Sequence, residues 1–292
     1  MCRLFGLSGG PRRVHATFWL LEAPDSLALQ SHREPDGTGL GTFDAQERPV
    51  VSKQPLAAYE DREFACEAKA IESRTFVAHV RYASTGALRP QNTHPFEQRD
   101  RLFAHNGVIE DLGALERRLG DAMSLVAGDT DSERFFALIT SEIDRTGDVT
   151  EGIASAARWV AENLPVLAIN LVLTSGSQLW ALRYPETHGL YVLERAAGGP
   201  DGSAHLHHAS SRRRIKVHSA DLATCPAVVI ASERMDDDPG WRALESGELL
   251  HVDADLTVRS HRVLDRAPTH PLTLADLDPR ARSSQQPLQA QT

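Results

Sequence analysis

Cysteine is scarce in this sequence: only Cys2, Cys66 and Cys225 occur in 292 residues. So few thiols in so long a chain make no disulfide framework, and a reducing cytoplasm is the expected compartment. Long apolar runs are missing too. Phe18-Trp19-Leu20-Leu21 soon meets Glu22, Pro24 and Asp25. Neither a transmembrane helix of about 20 apolar residues nor a signal peptide is expected. Positive charge is in deficit, with 31 Lys and Arg against 40 Asp and Glu and a net charge of -9. That balance gives no support to nucleic-acid binding, which favours a basic face, so neither nucleic acid nor membrane is an expected partner. The glycine-rich run 37–43 lacks the lysine and spacing of a phosphate loop. Close backbone approach beside another strand explains it better. No internal repeat is visible.

What is present suffices for a sizeable core. Hydrophobic residues make up 41% of the chain, and the length suits one large domain or two small ones. Strands are expected at 4–8, 37–43, 50–53, 75–82 and 101–105, the last ended by Asn106-Gly107. A helix is expected to begin in 14–21 and break at Pro24, with Asp25 capping a further turn through Ser31. Helices are also expected over 59–71, 112–119 and 131–143, and another capped by Thr150 and stopped at Pro165. Cys66 falls inside one of these helices and reads, like Cys225, as buried packing. Further strands are expected at 167–174, 178–184, 190–194, 206–210, 228–232, 249–252 and 257–264. Strands toward both ends, with helices gathered mainly in the middle, indicate α+β layering and not regular β-α alternation. After residue 264 the composition shifts to Pro, Arg, Ser and Gln. A domain over 2–264 and a disordered tail over 265–292 are therefore expected.

Four places carry chemistry. Cys2 directly follows the initiator methionine, which aminopeptidases usually remove before a small residue. Cys2 would then hold a thiol and the free α-amine, whose ordinary pKa of about 7.7–8.0 suits it to accept a proton near neutral pH. The plain alternative is a cysteine opening a buried strand. Arg81 ends a strand before the small-residue loop Ala83-Ser84-Thr85-Gly86. A guanidinium there can clamp a carboxylate through two hydrogen bonds, or pair with a nearby acid as surface arginines commonly do. His105-Asn106-Gly107 can aim a side-chain amide and a backbone N–H at one point, the equipment of an oxyanion hole. It can equally be a simple Asn-Gly turn. Gly128-Asp129-Thr130-Asp131-Ser132-Glu133 stands at a helix start, where Asp129 or Thr130 can cap and Asp131 can receive an ammonium group.

Taken in order, these segments resemble the class II glutamine amidotransferase domain of the N-terminal-nucleophile hydrolase superfamily. The resemblance covers roughly residues 2–232. It rests on Cys2, His32-Arg33-Glu34-Pro35-Asp36-Gly37, Arg81 to Gly86, Asn92-Thr93-His94-Pro95, His105-Asn106-Gly107 and Gly128-Asp129-Thr130-Asp131, with equal intervals from Arg81 to Asn106 and from Asn106 to Asp131. The opening Cys-Arg-Leu-Phe-Gly looks most like stand-alone members. These include enzymes that remove γ-glutamyl groups in ergothioneine synthesis and glutathione breakdown.

The resemblance implies a four-layer αββα sandwich with two antiparallel sheets. It implies a cysteine-nucleophile amidohydrolase that cleaves a γ-glutamyl amide through a thioester and needs no cofactor or metal. Cys2 would be the nucleophile and its α-amine the proton acceptor. Arg81 would hold the substrate α-carboxylate, Asp131 the α-ammonium, and Asn106 with the Gly107 N–H the oxyanion; Thr85 and Gly86 would line the glutamyl pocket. His79, His94 and His105 read as mainly structural. His205, His207 and His208 lack the Cys or carboxylate that would complete a metal set, and Asp236-Asp237-Asp238 reads as a solvated acidic turn. About 60 residues follow Ser232, too few for an independent synthase domain. The substrate is thus expected to be a small γ-glutamyl compound or glutamine. Two alternatives stand beside this reading: a glutaminase subunit delivering ammonia to a synthase partner, and a non-catalytic module that binds glutamine or a γ-glutamyl metabolite.

Overall fold

The computed structural model describes residues 2–82, 87–198, 224–279 and 281–282. In chain order its first elements are β1 (Arg3–Ser8), β2 (Val14–His15), α1 (Leu27–Gln30), β3 (Gly37–Phe43), β4 (Pro49–Gln54), α2 (Arg62–Ala70), β5 (Glu72–Ser73) and β6 (Thr75–Arg81). The middle holds β7 (Phe96–Gln98), β8 (Arg101–Ile109), α3 (Leu112–Leu119), α4 (Asp131–Thr146) and α5 (Val149–Asn163). The chain then returns to strands: β9 (Pro165–Thr174), β10 (Leu179–Arg183), β11 (Tyr191–Arg195), β12 (Ala227–Ala231), β13 (Arg242–Ala243), β14 (Glu248–Val252), β15 (Val258–Arg262) and β16 (His270–Pro271).

Two large sheets form. One runs β13-β11-β12-β1-β6-β3-β4 and the other β15-β14-β10-β9-β8-β7, with β16 added beside β9. Every large-sheet pairing is antiparallel except that of β16. Three hydrophobic cores define the layering. Phe18, Trp19, Leu27 and Phe64 cover the first sheet. Leu4, Val77, Leu102, Val172 and Ile230 fill the space between the sheets. Leu115, Phe135, Phe136, Ile153 and Val160 bring α3, α4 and α5 onto the second sheet. The expected four layers, with two antiparallel sheets between helices, are the observed architecture. Cores on both sides of the first sheet bury β1 and β6 along their whole lengths, and strands buried on both faces lack a regular polar alternation.

Several local expectations change. The helix expected from 14 onward is a β-bridge followed by one wide turn at Phe18–Glu22. Ser26, not Asp25, caps α1 by accepting from the Leu29 N–H. Asp148 replaces Thr150 as the cap of α5, and Thr130 caps α4. Asn106-Gly107 is no turn: β8 continues through it to Ile109, paired with Asn170 and Ile169 of β9. Long-range pairing outweighs local turn preference there. Cys66 is exposed, not buried, because it lies on the outer face of α2, whereas Cys225 is buried. Beyond residue 264 the chain still packs: β16 pairs with Pro165 and Val166, and Leu277 and Ala281 bury against Val108 and Leu167. Apolar residues spaced through a polar stretch are enough to hold it. The expected strand at 206–210 lies outside the described residues.

Pairing registers gather the site at one end of the first sheet. Arg3 lies opposite Val80, and Gly37 opposite Arg81, so the start of β1 and the end of β6 adjoin. Phe103 of β8 stacks on Phe136 of α4 at 4.7 Å between ring centres. This contact seats α4 on β8 and brings Asp131 to the Ile109 N–H. Gly39 makes a close approach on β3: a Cβ there would fall 1.9 Å from the His94 carbonyl oxygen. Strand propensity alone would favour Ala over Gly by roughly 0.5–1 kcal/mol. The clash reverses that sign, and Gly39→Ala is expected to destabilise by about 1–3 kcal/mol. A urea midpoint equal to wild type would show that the 92–96 segment yields freely.

Candidate active site

The Cys2 thiol docks against the backbone where β6 ends. Its Sγ accepts from the Tyr82 N–H at 3.3 Å and donates to the Tyr82 carbonyl at 3.4 Å. Burial pushes the thiol pKa up, and the nearby Glu34 carboxylate adds to the shift. Glu34 is itself buried, and loss of solvent raises its own pKa. Its Oε1 lies 3.6 Å from the Arg3 guanidinium, whose other nitrogen pairs with Glu233 at 2.5 Å. Arg3 also donates to the Cys2 carbonyl at 3.4 Å. The first residues are thus held from both sides, by Arg3 and by Asn106.

Cys2, Arg81, Gly107 and Asp131 border one cavity of about 30 Å³, together with His79 and His94. Arg81 is 4% exposed and donates to the Ala87 carbonyl at 3.5 Å. Asp131 is 4% exposed and opens α4, where the helix dipole favours a carboxylate. Its Oδ2 accepts from the Ile109 N–H at 3.0 Å. Asn106 donates through Nδ2 to the Cys2 carbonyl at 3.0 Å. An amide nitrogen carries two protons, so one remains for another acceptor. Gly107 is required by space, since a Cβ would fall 1.8 Å from the Ala168 oxygen. Thr85 and Gly86 lie outside the described residues, as do His205, His207 and His208.

Four further groups belong to the site. The Tyr82 backbone positions the thiol, and Glu34 acts on it electrostatically. Asn92 borders the cavity and ties its loop to α4, donating to Ala87 and Asp129 and accepting from the Asp129 N–H at 2.9 Å. Ser132 joins Asp131 to His105. A Glu-Pro pair inside a polar loop was a visible signal for Glu34. Backbone contacts such as those of Tyr82 leave no side-chain signature.

A sequence profile of the class-II glutamine amidotransferases matches residues 1–271. The chain belongs to the class-II glutamine amidotransferases. It is accordingly an amidotransferase-type enzyme. It is 30% identical over 271 residues to the γ-glutamyl-hercynylcysteine sulfoxide hydrolase of Mycolicibacterium smegmatis, covering 88% of this chain and 99% of that one. Against the hydrolase of the same name from Mycobacterium tuberculosis H37Rv, identity is 27% over 263 residues, with coverage of 86% and 93%. A glutamine aminotransferase class-II domain protein of Silicibacter pomeroyi has a similar structure, with TM-score 0.58 at 20% identity over 89% of this chain and 98% of that one. Glutamine phosphoribosylpyrophosphate amidotransferase of Bacillus subtilis gives TM-score 0.62 at 21% identity over 91% of this chain and 50% of that one. These structural likenesses support the N-terminal-nucleophile fold. Among the described residues no helix is long and apolar enough to cross a membrane.

Three neutral histidines, His79, His94 and His105, line the cavity beside Cys2. Burial lowers His79 from the ordinary 6.5 to about 3, with Arg81 and His105 adding to the effect. Burial also lowers His94, well below its usual range, and His105. The His105 carbonyl comes near the His79 ring, yet neither ring nitrogen of His79 or His94 has a hydrogen bond of good geometry. Below about pH 6.5 the unfolded chain takes up protons that these folded imidazoles refuse. Their contribution to stability is therefore complete above that pH and drains away as pH falls toward 3. The thermal midpoint is expected to fall across this window, and less steeply in His79→Gln. Parallel curves for the two proteins would count against the assignment.

Glu34 gives a second test with a definite sign. Its negative charge opposes thiolate formation, so Glu34→Gln is expected to shift the pH profile of Cys2 alkylation toward lower pH. Iodoacetamide labelling with peptide mapping separates Cys2 from the exposed Cys66. An unshifted or alkaline-shifted profile would remove Glu34 from the account.

Proposed function

We propose that this amidotransferase hydrolyses the amide bond of a γ-glutamyl compound larger than glutamine, using Cys2 as nucleophile. The observation that carries this reading is the Cys2 thiol bordering one small cavity with Arg81, Gly107 and Asp131. Two γ-glutamyl hydrolases similar along nearly their whole lengths support the larger substrate.

The chemistry follows from these groups. Arg81 takes the substrate α-carboxylate through its planar fork, and Asp131 takes the α-ammonium. Neither grips the amine side of the amide, which is free to vary. The thiol sulfur bonds to the γ-carbonyl carbon, and its proton passes through the Cys2 α-amine, once exposed, to the leaving nitrogen. The second Asn106 Nδ2 proton and the Gly107 N–H meet the oxyanion. The C–N bond breaks and the amine departs, leaving a thioester. Water then attacks, releasing glutamate and restoring the thiol. Three free cysteines suit a reducing compartment, and the cytoplasm is the proposed location.

Purified protein assayed against L-glutamine and a panel of γ-glutamyl amides is expected to show a higher kcat/KM for a larger substrate. Cys2→Ala is expected to abolish turnover with the fold intact. Arg81→Lys should weaken binding despite its retained charge, and Asn106→Ala should lower kcat by roughly 10²–10³. If glutamine were the best substrate and a co-purifying subunit stimulated its hydrolysis, the ammonia-delivering reading would replace this one.

A further inference from the structure

Asp131 stands in a chain of hydrogen bonds that runs through Ser132 to His105. His105 Nε2 lies 3.4 Å from the Ala168 carbonyl, and its Nδ1 lies 2.9 Å from Ser132 Oγ. Ser132 Oγ lies in turn 3.4 Å from Asp131 Oδ1. A carbonyl oxygen only accepts, so Nε2 faces it with a proton. Burial keeps the ring neutral, and a neutral imidazole carries one N–H. Nδ1 is therefore an acceptor.

The Ser132 hydroxyl has one proton and two claimants. The imidazole contact at 2.9 Å has the usual length of a good hydrogen bond. A hydroxyl donating to a carboxylate settles at about 2.5–2.7 Å, and the Asp131 contact at 3.4 Å is far longer. The hydroxyl therefore donates to the imidazole. Asp131 then keeps the Ile109 N–H on Oδ2, while Oδ1 receives nothing strong from Ser132. A carboxylate only 4% exposed gains much from a cation arriving at that oxygen.

We propose that His105 is a positioning residue for substrate recognition: it draws the Ser132 proton away from Asp131, so that Oδ1 stays open to the substrate α-ammonium. This rests on the reading of Asp131 given above. It also explains how β8 serves both halves of the site, since His105 acts on the ammonium receptor and its neighbour Asn106 contacts Cys2.

The test compares calorimetric binding of L-glutamate with that of glutarate, the same diacid without its amine. Wild type is expected to prefer glutamate. In His105→Phe the Ser132 hydroxyl is released and turns to Asp131, and the preference is expected to fall about tenfold, chiefly through glutamate. Adding Ser132→Ala to His105→Phe removes the competing proton and is expected to restore most of the preference. Ser132→Ala alone is expected to leave it within about threefold. If instead Ser132 holds Asp131 in place, Ser132→Ala alone would lose the preference, and that result overturns the proposal even should His105→Phe fail to fold. Asp131→Asn separates the two levels. Loss of preference there, together with loss in Ser132→Ala, would retain the ammonium site and reject the His105 relay. An unchanged preference in Asp131→Asn would reject the ammonium site itself.

Discussion

Close stacking of the two sheets is the constraint on which the site depends. At Gly6 of β1 a Cβ would stand 2.8 Å from Val172 Cγ1 of β9, so the central strands meet almost without a gap. Leu4, Leu102, Ala104, Val172 and Ile230 fill the layer around that point. With the sheets held so near, the start of β1 falls beside β8, and Asn106 reaches the Cys2 carbonyl at 3.0 Å. Arg81 arrives through the β1–β6 pairing and Asp131 through the seat of α4 on β8. A wider separation would leave the thiol in one layer and Asn106 with Gly107 in another.

The polar groups in this seam cost stability. A buried polar atom without a partner costs about 1–3 kcal/mol, and His79 and His94 present four ring nitrogens in that condition. Exposed ion pairs such as Arg48–Asp44 and Arg262–Glu245 offset little, since such pairs are worth about 0–1 kcal/mol. The compensation comes from the three apolar layers. Their side chains are almost wholly removed from water, at about 25 cal/mol per Å² of apolar surface. Electrostatics then divides the seam. Arg81 and Asp131 bring side chains of opposite sign to one cavity, while burial keeps the imidazoles that also line it neutral.

Much of this organisation was legible without coordinates. Apolar runs in β6, β9 and β12 mark buried strands, and the α3 boundaries follow from periodicity. The ordered motifs pointed to the family and thereby to the two-sheet sandwich. Errors fell where long-range structure overrules local preference. Asn106-Gly107 has turn chemistry but is held straight by β9. Cys66 has an apolar character but lies on an outward helix face. Residues after 264 have a tail's composition, yet Leu277 and Ala281 find a pocket beside Val108 and Leu167.

The sequence by itself determined which residue types were available to the site, the order in which they occur, and the alternation of apolar runs that makes two sheets. Tertiary structure alone decided the electrostatics. The raised thiol of Cys2, the buried Glu34 beside it and the neutral state of three histidines depend on distances between residues far apart in the chain. Desolvation and hydrogen bonding act through space and fall off within a few ångströms. No spacing along a sequence specifies them until packing has brought the groups together.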